Sequence, residues 1–398
     1  MRLLLFLLAA LAPAADLDCR LTYTCPVIQI AGEREARLSN GAIPPLRGFA
    51  SPSLRQDPVY PRLWLAFAQP HIRTAPGARD PFDASPASSV RLAVSDDRGR
   101  VFRTLGDLWP AEPGRAPNGE DGLFSYESPS LLPVTDGRRT VWYGARLQTF
   151  LPHNAGFQRR IPESFRILIS RAEGPQNLAR TPVQRLGARS DWEVDVNLTR
   201  LPGSFDARSC DAFADPALAH DGTELYLALT CLVIRGNSLN LDRTRILVFA
   251  TKADRDPRYW DWRFAGNLAT RDEARALNAD RLSRLSFARH RDGHLLAILS
   301  PEQVDSSRQE LAPRQCLILE AAFTEGRLEL ARTPSGGLNV LARVFASLDR
   351  PPAIDACAYD PASQTGLILG KRTRPATRGP ANRPPESVFT LHSTGLHP

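Results

Sequence analysis

One hairpin pattern recurs along this chain, and it restricts the fold more than any other feature. Its clearest copy runs from Asp211 to Leu229: an apolar stretch through Phe213 and Leu218, an Asp221-Gly222 turn, then Leu225-Tyr226-Leu-Ala-Leu. Alternating and apolar runs that flank an Asp-Gly pair read as strand, tight turn, strand. Upstream copies are Glu127-Ser128-Pro129-Ser130-Leu131 with Asp136-Gly137 and Trp142-Tyr143, and Ser51-Pro52-Ser53-Leu54 leading to Leu63-Trp64-Leu-Ala-Phe67. Downstream copies are Leu285-Ser286 with Asp292-Gly293 and Leu295 to Leu299, and Asp355-Ala-Cys-Ala with Asp360-Pro361 and Gly366 to Leu369. A hairpin repeated at long, fairly even spacing marks a repeat architecture.

Each copy is followed by a long polar or proline-rich loop and a second hairpin. In the first repeat the loop spans residues 69–88 and the strands are Val90 to Val94 and Val101 to Leu105. In the fourth the loop runs from Pro301 to Pro313, with strands from Gln315 to Ala321 and from Gly326 to Ala331. The fifth repeat has only one strand after its loop, Ser387 to His392. Helix patterns are scarce and short, near Gln176 to Arg180 and Arg271 to Leu277. Four strands per repeat, with one missing from the last, describe an all-β, five-bladed β-propeller. The expected closing element is an N-terminal strand, Leu21 to Ile30, beside Ser387 to His392. The rival arrangement is a β-sandwich or two smaller β domains.

Only Met1 and Arg2 precede the apolar run Leu3 to Leu11, and Ala12-Pro13-Ala14 follows. That pattern reads as a secretory signal peptide over residues 1–15, too short to span a bilayer, followed by a single propeller domain over residues 16–398. No later segment is apolar enough for a transmembrane segment. The expected location is periplasmic or secreted. The six cysteines then favour disulfides. Cys210 and Cys231 flank one hairpin almost symmetrically, Cys19 and Cys25 close a small loop, and Cys316 is left with Cys357. No cysteine or histidine spacing suggests a metal, and no cofactor motif is present. The net charge of +7 is carried by arginine, with Lys252 and Lys371 the only lysines. Arginine excess of this kind marks anion binding or simply a solvated surface. Export argues against nucleic acid as the partner.

In such a propeller the short turns share one face and the long loops the other. Binding residues collect on long loops held by a rigid scaffold. The acids reaching that rim are Glu127, Asp211, Asp215, Asp280 and Asp355, flanked by Arg47, Arg208, Arg281 and Arg284. They serve either acid–base chemistry, with Glu127 and Asp215 as the pair, or structural salt bridges and strand caps.

Three motifs carry resemblances. Ser95-Asp-Asp97-Arg-Gly99-Arg-Val-Phe102 resembles the Asp-box of sialidase-like propellers, a turn motif that implies folding rather than catalysis. Arg159-Arg160-Ile161-Pro162 resembles the Arg-Ile-Pro motif of sialidases, which implies a substrate-binding Arg160. The recurring Asp-Pro-Ala-Leu, Asp-Gly, Leu-Tyr-Leu layout resembles the five-bladed glycoside hydrolases of the arabinanase, xylosidase and invertase kind. That resemblance implies catalytic carboxylates on blades one, three and four. Asp215 matches the third-blade position, Ser51 stands at the first, and residues 280–286 hold no glutamate. The expected function is therefore binding of a glycan or protein ligand at the channel mouth without catalysis. The alternative is a divergent glycoside hydrolase using Asp215, Glu127 and Asp211, with Arg47, Arg160, Arg281 and Asp355 holding substrate.

Overall fold

The computed structural model describes residues 15–19, 25–33, 46–74, 84–137, 139–152, 164–188, 192–236, 238–305, 310–313, 315–346, 353–373 and 386–398. They form a five-bladed β-propeller. From the axis outward, blade 1 is Ala50–Gln56, Leu63–Thr74, Ala84–Ser95 and Phe102–Trp109. Blade 2 is Asp121–Asp136, Arg139–Pro152, Arg166–Ala172 and Val183–Gly187. Blade 3 is Ala212–His220, Leu225–Leu232, Arg245–Thr251 and Arg263–Ala269. Blade 4 is Arg281–Arg289, Leu295–Asp305, Gln315–Thr324 and Val340–Phe345. Blade 5 supplies Ala353–Ala358, Ile368–Thr373 and Ser387–Ser393.

The ring is closed from the N-terminal side, by a different stretch from the one expected. Leu46–Gly48 runs parallel to Ser387, Val388 and Phe389 as the fourth strand of blade 5. Of the expected strand, Val27 makes one antiparallel bridge to His392, and Ile30–Ala31 instead joins the outer edge of blade 1. Residues 20–24 lie outside the described residues. Gly48 shows why the closing contact is specific: its φ is +99°, and an added Cβ would collide with the Phe389 backbone. Ala15–Asp18 covers the outer edge of blade 4 in parallel with Val340–Phe345. The expected signal peptide lies almost wholly outside the described residues, and no described helix is long and apolar enough to cross a membrane.

Blade 4 departs from the sequence expectation. Its outer strand is Val340–Phe345; the stretch Arg327–Leu330 folds back as a short hairpin on the far end of Gln315–Thr324. Its second strand also continues past Pro301 to Asp305, where a loop was expected, because residues 302–305 pair with Glu310–Pro313. The short Arg271–Ala276 helix is present, fixed by a capping box between Thr270 and Glu273.

The blades pack face to face, so their middle strands are buried on both sides and read as continuous apolar runs. Apolar clusters fill the gaps between blades: Trp64 with Trp142 between blades 1 and 2, Tyr143 with Phe213 and Trp260 between 2 and 3, and Tyr226 with Phe287 between 3 and 4. Ile318 meets Ile354 between 4 and 5, and Ile368 meets Leu65 between 5 and 1. Trp260 and Trp262 belong to this packing, with the Trp262 indole nitrogen donating to Gln184 at 2.7 Å. Three disulfides join Cys19 to Cys25 and Cys210 to Cys231, as their spacing implied, and Cys316 to Cys357, the pair left over.

Candidate channel-mouth site

Every inner strand breaks register at the same level. The ladder slips between Ala50 and Ser53, Ala214 and Ala217, Ser283 and Ser286, and Ile354 and Cys357. In blade 2 it slips opposite Ser128 and Pro129. These are β-bulges, which bend a strand and re-aim a side chain. The first bulge residue is Ser51, Ser128, Asp215, Arg284 or Asp355. Four of them hold a left-handed backbone, with φ of 48° at Ser51, 48° at Ser128, 50° at Asp215 and 54° at Arg284. A non-glycine residue kept in that region costs about 1–3 kcal/mol, and such strain gathers at functional positions. Proline follows in three blades, as Pro52, Pro129 and Pro216. A proline at a bulge has no N–H to leave unpaired.

The bulges place five side chains around the axis, and hydrogen bonds link them in a chain from Ser51 through Asp355, Arg284 and Asp215 to Ser128. The Asp355 carboxylate accepts from the Ser51 amide and from its hydroxyl at 3.2 Å, which joins blades 1 and 5. Arg284 donates to the other Asp355 oxygen at 2.7 Å. Asp215 accepts from the Ser128 hydroxyl at 3.4 Å, the Thr230 hydroxyl at 3.2 Å and the Arg284 amide at 3.3 Å. Just below, the Ser53 and Ser130 hydroxyls accept from the Leu131 and Leu218 amides, stitching blade 1 to 2 and 2 to 3.

A third carboxylate enters from the second strand of blade 4. Glu302 lies opposite Arg281 in the ladder, is 2% exposed, and accepts from the Arg281 guanidinium; Arg284 stands 3.7 Å from its other oxygen. Burial alone would raise the Glu302 pKa, but the Arg281 and Arg284 charges outweigh it and hold the group below the ordinary carboxylate range. Burial likewise works against the Arg284 charge, and the carboxylates of Asp355, Asp215 and Glu302 reverse that and hold its pKa above the ordinary value. Three carboxylates thus share two guanidinium groups. Glu302 carries no local signal in the sequence, because it follows Pro301, the residue at which the expected loop begins.

The other expected site residues are placed as follows. Glu127 directly precedes the Ser128 bulge and pairs in register with Leu147. The Asp211 carboxylate accepts from the Ile234 amide at 2.7 Å, and Asp280 does the same for Val304 at 2.7 Å, so both tie the open end of a hairpin. Arg47 lies on the outermost strand of blade 5, paired with Glu386 at 2.9 Å, away from the axis. Arg160 lies outside the described residues.

The space between the bulges is only about 30 Å³, bordered by Ser51, Ser128, Asp215, Arg284 and their neighbours. That holds one water, not a sugar ring. A ligand would lie across the rim. On one side the rim is walled: blade 1 continues past the bulge from Ala68 to Thr74, and blade 2 from Leu147 to Pro152, roughly 20 Å of strand each. No group of His, Cys, Asp and Glu among the described residues is arranged to hold a metal ion.

No protein-family model matches the chain, and no curated protein sequence does. Solved structures do. The chain is similar to Zg3597, a family 117 glycoside hydrolase produced by the marine bacterium Zobellia galactanivorans, at 11% identity over 92% of this chain and 88% of that one, with a TM-score of 0.48. It is similar to the alpha-L-arabinofuranosidase from Lactobacillus brevis at 9% identity, covering 80% and 81% of the two chains, with a TM-score of 0.40. A third likeness is to an exo-1,5-alpha-L-arabinanase from a bovine ruminal metagenomic library, at 9% identity over 72% and 79%, with a TM-score of 0.37. At such identities the likeness is one of fold alone, and none of the three TM-scores reaches 0.5.

Proposed function

We propose that this protein is an exported propeller that binds a carbohydrate across the channel mouth of its long-loop face and does not hydrolyse it. The observation that carries this reading is the state of the acids at the mouth. Glycoside hydrolysis needs one carboxyl that keeps its proton near neutral pH and a second carboxylate about 5–10 Å away. Glu302 is instead held ionised by two guanidinium groups. Asp355 is engaged by Ser51 and Arg284, and blade 1 presents only a serine. Such a chain of fixed donors and acceptors suits sugar hydroxyls, which both give and accept hydrogen bonds. Three disulfides fit an oxidising compartment and support export.

Asp215 is the residue on which binding should depend most, because a carboxylate at the channel mouth can take a strong charge-assisted hydrogen bond from a sugar hydroxyl. The test begins with a glycan array and a panel of aryl glycosides. For a glycan that binds, Asp215→Asn is expected to weaken affinity by about 1.5–3 kcal/mol in calorimetry, with little change in melting temperature. Lost stability with unchanged affinity would make Asp215 a strand tie and move the site elsewhere. A second reading, slow hydrolysis by Glu127 with Asp215, rests on their neighbouring positions across the Ser128 link. Aryl-glycoside turnover that Glu127→Gln abolishes would favour it over pure binding.

A further inference from the structure

The short-turn face, opposite the channel mouth, carries a second pocket of about 530 Å³. Arg62, Arg98 and Arg291 line it, together with His397, Ser363 and Gln364, and no Asp or Glu is among its lining residues. The arginines come from separate turns: Arg62 and Arg98 from the two hairpins of blade 1, and Arg291 from the inner hairpin of blade 4. Blade 5 supplies the floor through the segment 361–364.

We infer that this pocket binds a tetrahedral oxyanion, a sulfate or phosphate group carried by a small ligand. The carboxylates nearest in the fold are turned away from it. Asp57 accepts from the Val59 and Tyr60 amides and from the Trp64 indole, and Asp360 accepts from the Gln56 and Ala362 amides. Among the described residues, the well-exposed Asp96 pairs with Arg62 at 3.6 Å from Nε, and that nitrogen is buried without a hydrogen bond. Arg62 also lies over the Tyr60 ring at 4.9 Å, which steadies its plane.

The frame is fixed before any ligand arrives. Ser95 and Asp97 lock the turn that carries Arg98: Gly99 N donates to the Ser95 hydroxyl at 2.7 Å and Val101 N to Asp97 at 3.0 Å. Arg98 itself holds a left-handed backbone, φ 60°, and its carbonyl accepts from the Gln364 amide at 2.8 Å. Among the described residues, Arg291 hydrogen-bonds to the Pro361 carbonyl, at 3.3 and 3.4 Å, through two of its nitrogens. Three guanidinium groups from three turns lining one pocket suit a group with three equivalent oxygens better than a planar carboxylate.

The experiment titrates inorganic sulfate, inorganic phosphate, glucose 6-sulfate and glucose 6-phosphate into the full chain at low salt by calorimetry, with glucose as the control. Binding of the inorganic ions and of at least one ester is expected, with none by glucose, and affinity should fall as sodium chloride is added. A preference for the sulfate ester would identify a sulfated ligand, and a preference for the phosphate ester a phosphorylated one; either supports the site. Arg98→Gln with Arg291→Gln should weaken binding at least about tenfold while the melting temperature holds. Should the double variant fail to fold, Arg291→Gln alone carries the test, since the hydrogen bonds of that side chain among the described residues go to one carbonyl. Binding that survives these substitutions, or no binding by any of the four probes, overturns the proposal.

Discussion

Replacing Cys316 and Cys357 together by alanine is expected to lower the stability of the folded chain by about 4 kcal/mol, the loop-closure value for a bridge of this span. The two residues are 41 apart in sequence, and both are buried. The bond joins the third strand of blade 4 to the inner strand of blade 5, inside the cluster that includes Ile298, Ile318 and Val344. Its position makes the effect larger than for the other two bridges. Cys210 and Cys231 span a hairpin whose strands are already paired from Ala212 to His220. Cys19 and Cys25 are only 6 apart, which removes little entropy from the unfolded chain. Among the described residues, blade 5 is held to the N-terminal side by short stretches of backbone: the Leu46–Gly48 pairing, the Val27 bridge and the Gln364 amide on the Arg98 carbonyl. A covalent tie at its other border therefore carries much of the ring's closure. Denaturant unfolding of Cys316→Ala/Cys357→Ala beside Cys19→Ala/Cys25→Ala checks the ranking. Equal losses would mean that the ring does not depend on the blade 4 to blade 5 tie.

The difference between what was legible in the sequence and what was not follows the range of the interactions. Hairpins are local: Asp136-Gly137 and Asp221-Gly222 turn the chain, and the flanking residues are apolar because the middle strands are covered on both faces. Those signals place all five inner hairpins, and the symmetry of Cys210 and Cys231 about one of them places a disulfide. The bulges left a trace as well, in Ser51-Pro52, Ser128-Pro129 and Asp215-Pro216, but a dipeptide does not reveal a left-handed φ, which the closed ring imposes. Arg284 and Asp355 are 71 residues apart, and nothing local in either stretch announces the other. Glu302 was hidden by Pro301, since proline ordinarily ends a ladder. Here the ladder resumes through Glu310–Pro313, a pairing decided after the strand has passed the proline. The closing strand was misplaced for a similar reason. Leu21 to Ile30 has the alternation of a strand, but the approach of Gly48 to the Phe389 backbone selects Leu46–Gly48, and only a glycine tolerates it.

Arg284→Met is expected to cost about 3 kcal/mol at neutral pH, the lower end of the range for breaking a buried ion pair, because 29% of the side chain still meets solvent. Methionine keeps much of the volume, so the loss reports charge rather than a cavity. Without Arg284 the carboxylates of Asp215, Glu302 and Asp355 lose the guanidinium they share, and Arg281 remains on Glu302. The pH dependence follows from Glu302. Its folded pKa lies below the ordinary 4.5, so in the unaltered chain its stabilisation is complete above about pH 4.5 and is lost as the pH falls through the folded value. In the variant one of its two cations is gone, its pKa rises toward the ordinary range, and less stabilisation remains to be lost. The two proteins should therefore differ most near pH 7 and converge as the solution is acidified below pH 4.5. Denaturant midpoints measured at neutral and at acidic pH test this. A deficit of the same size at both would place the contribution of Arg284 in its packing and leave these charges without a part in holding the channel mouth.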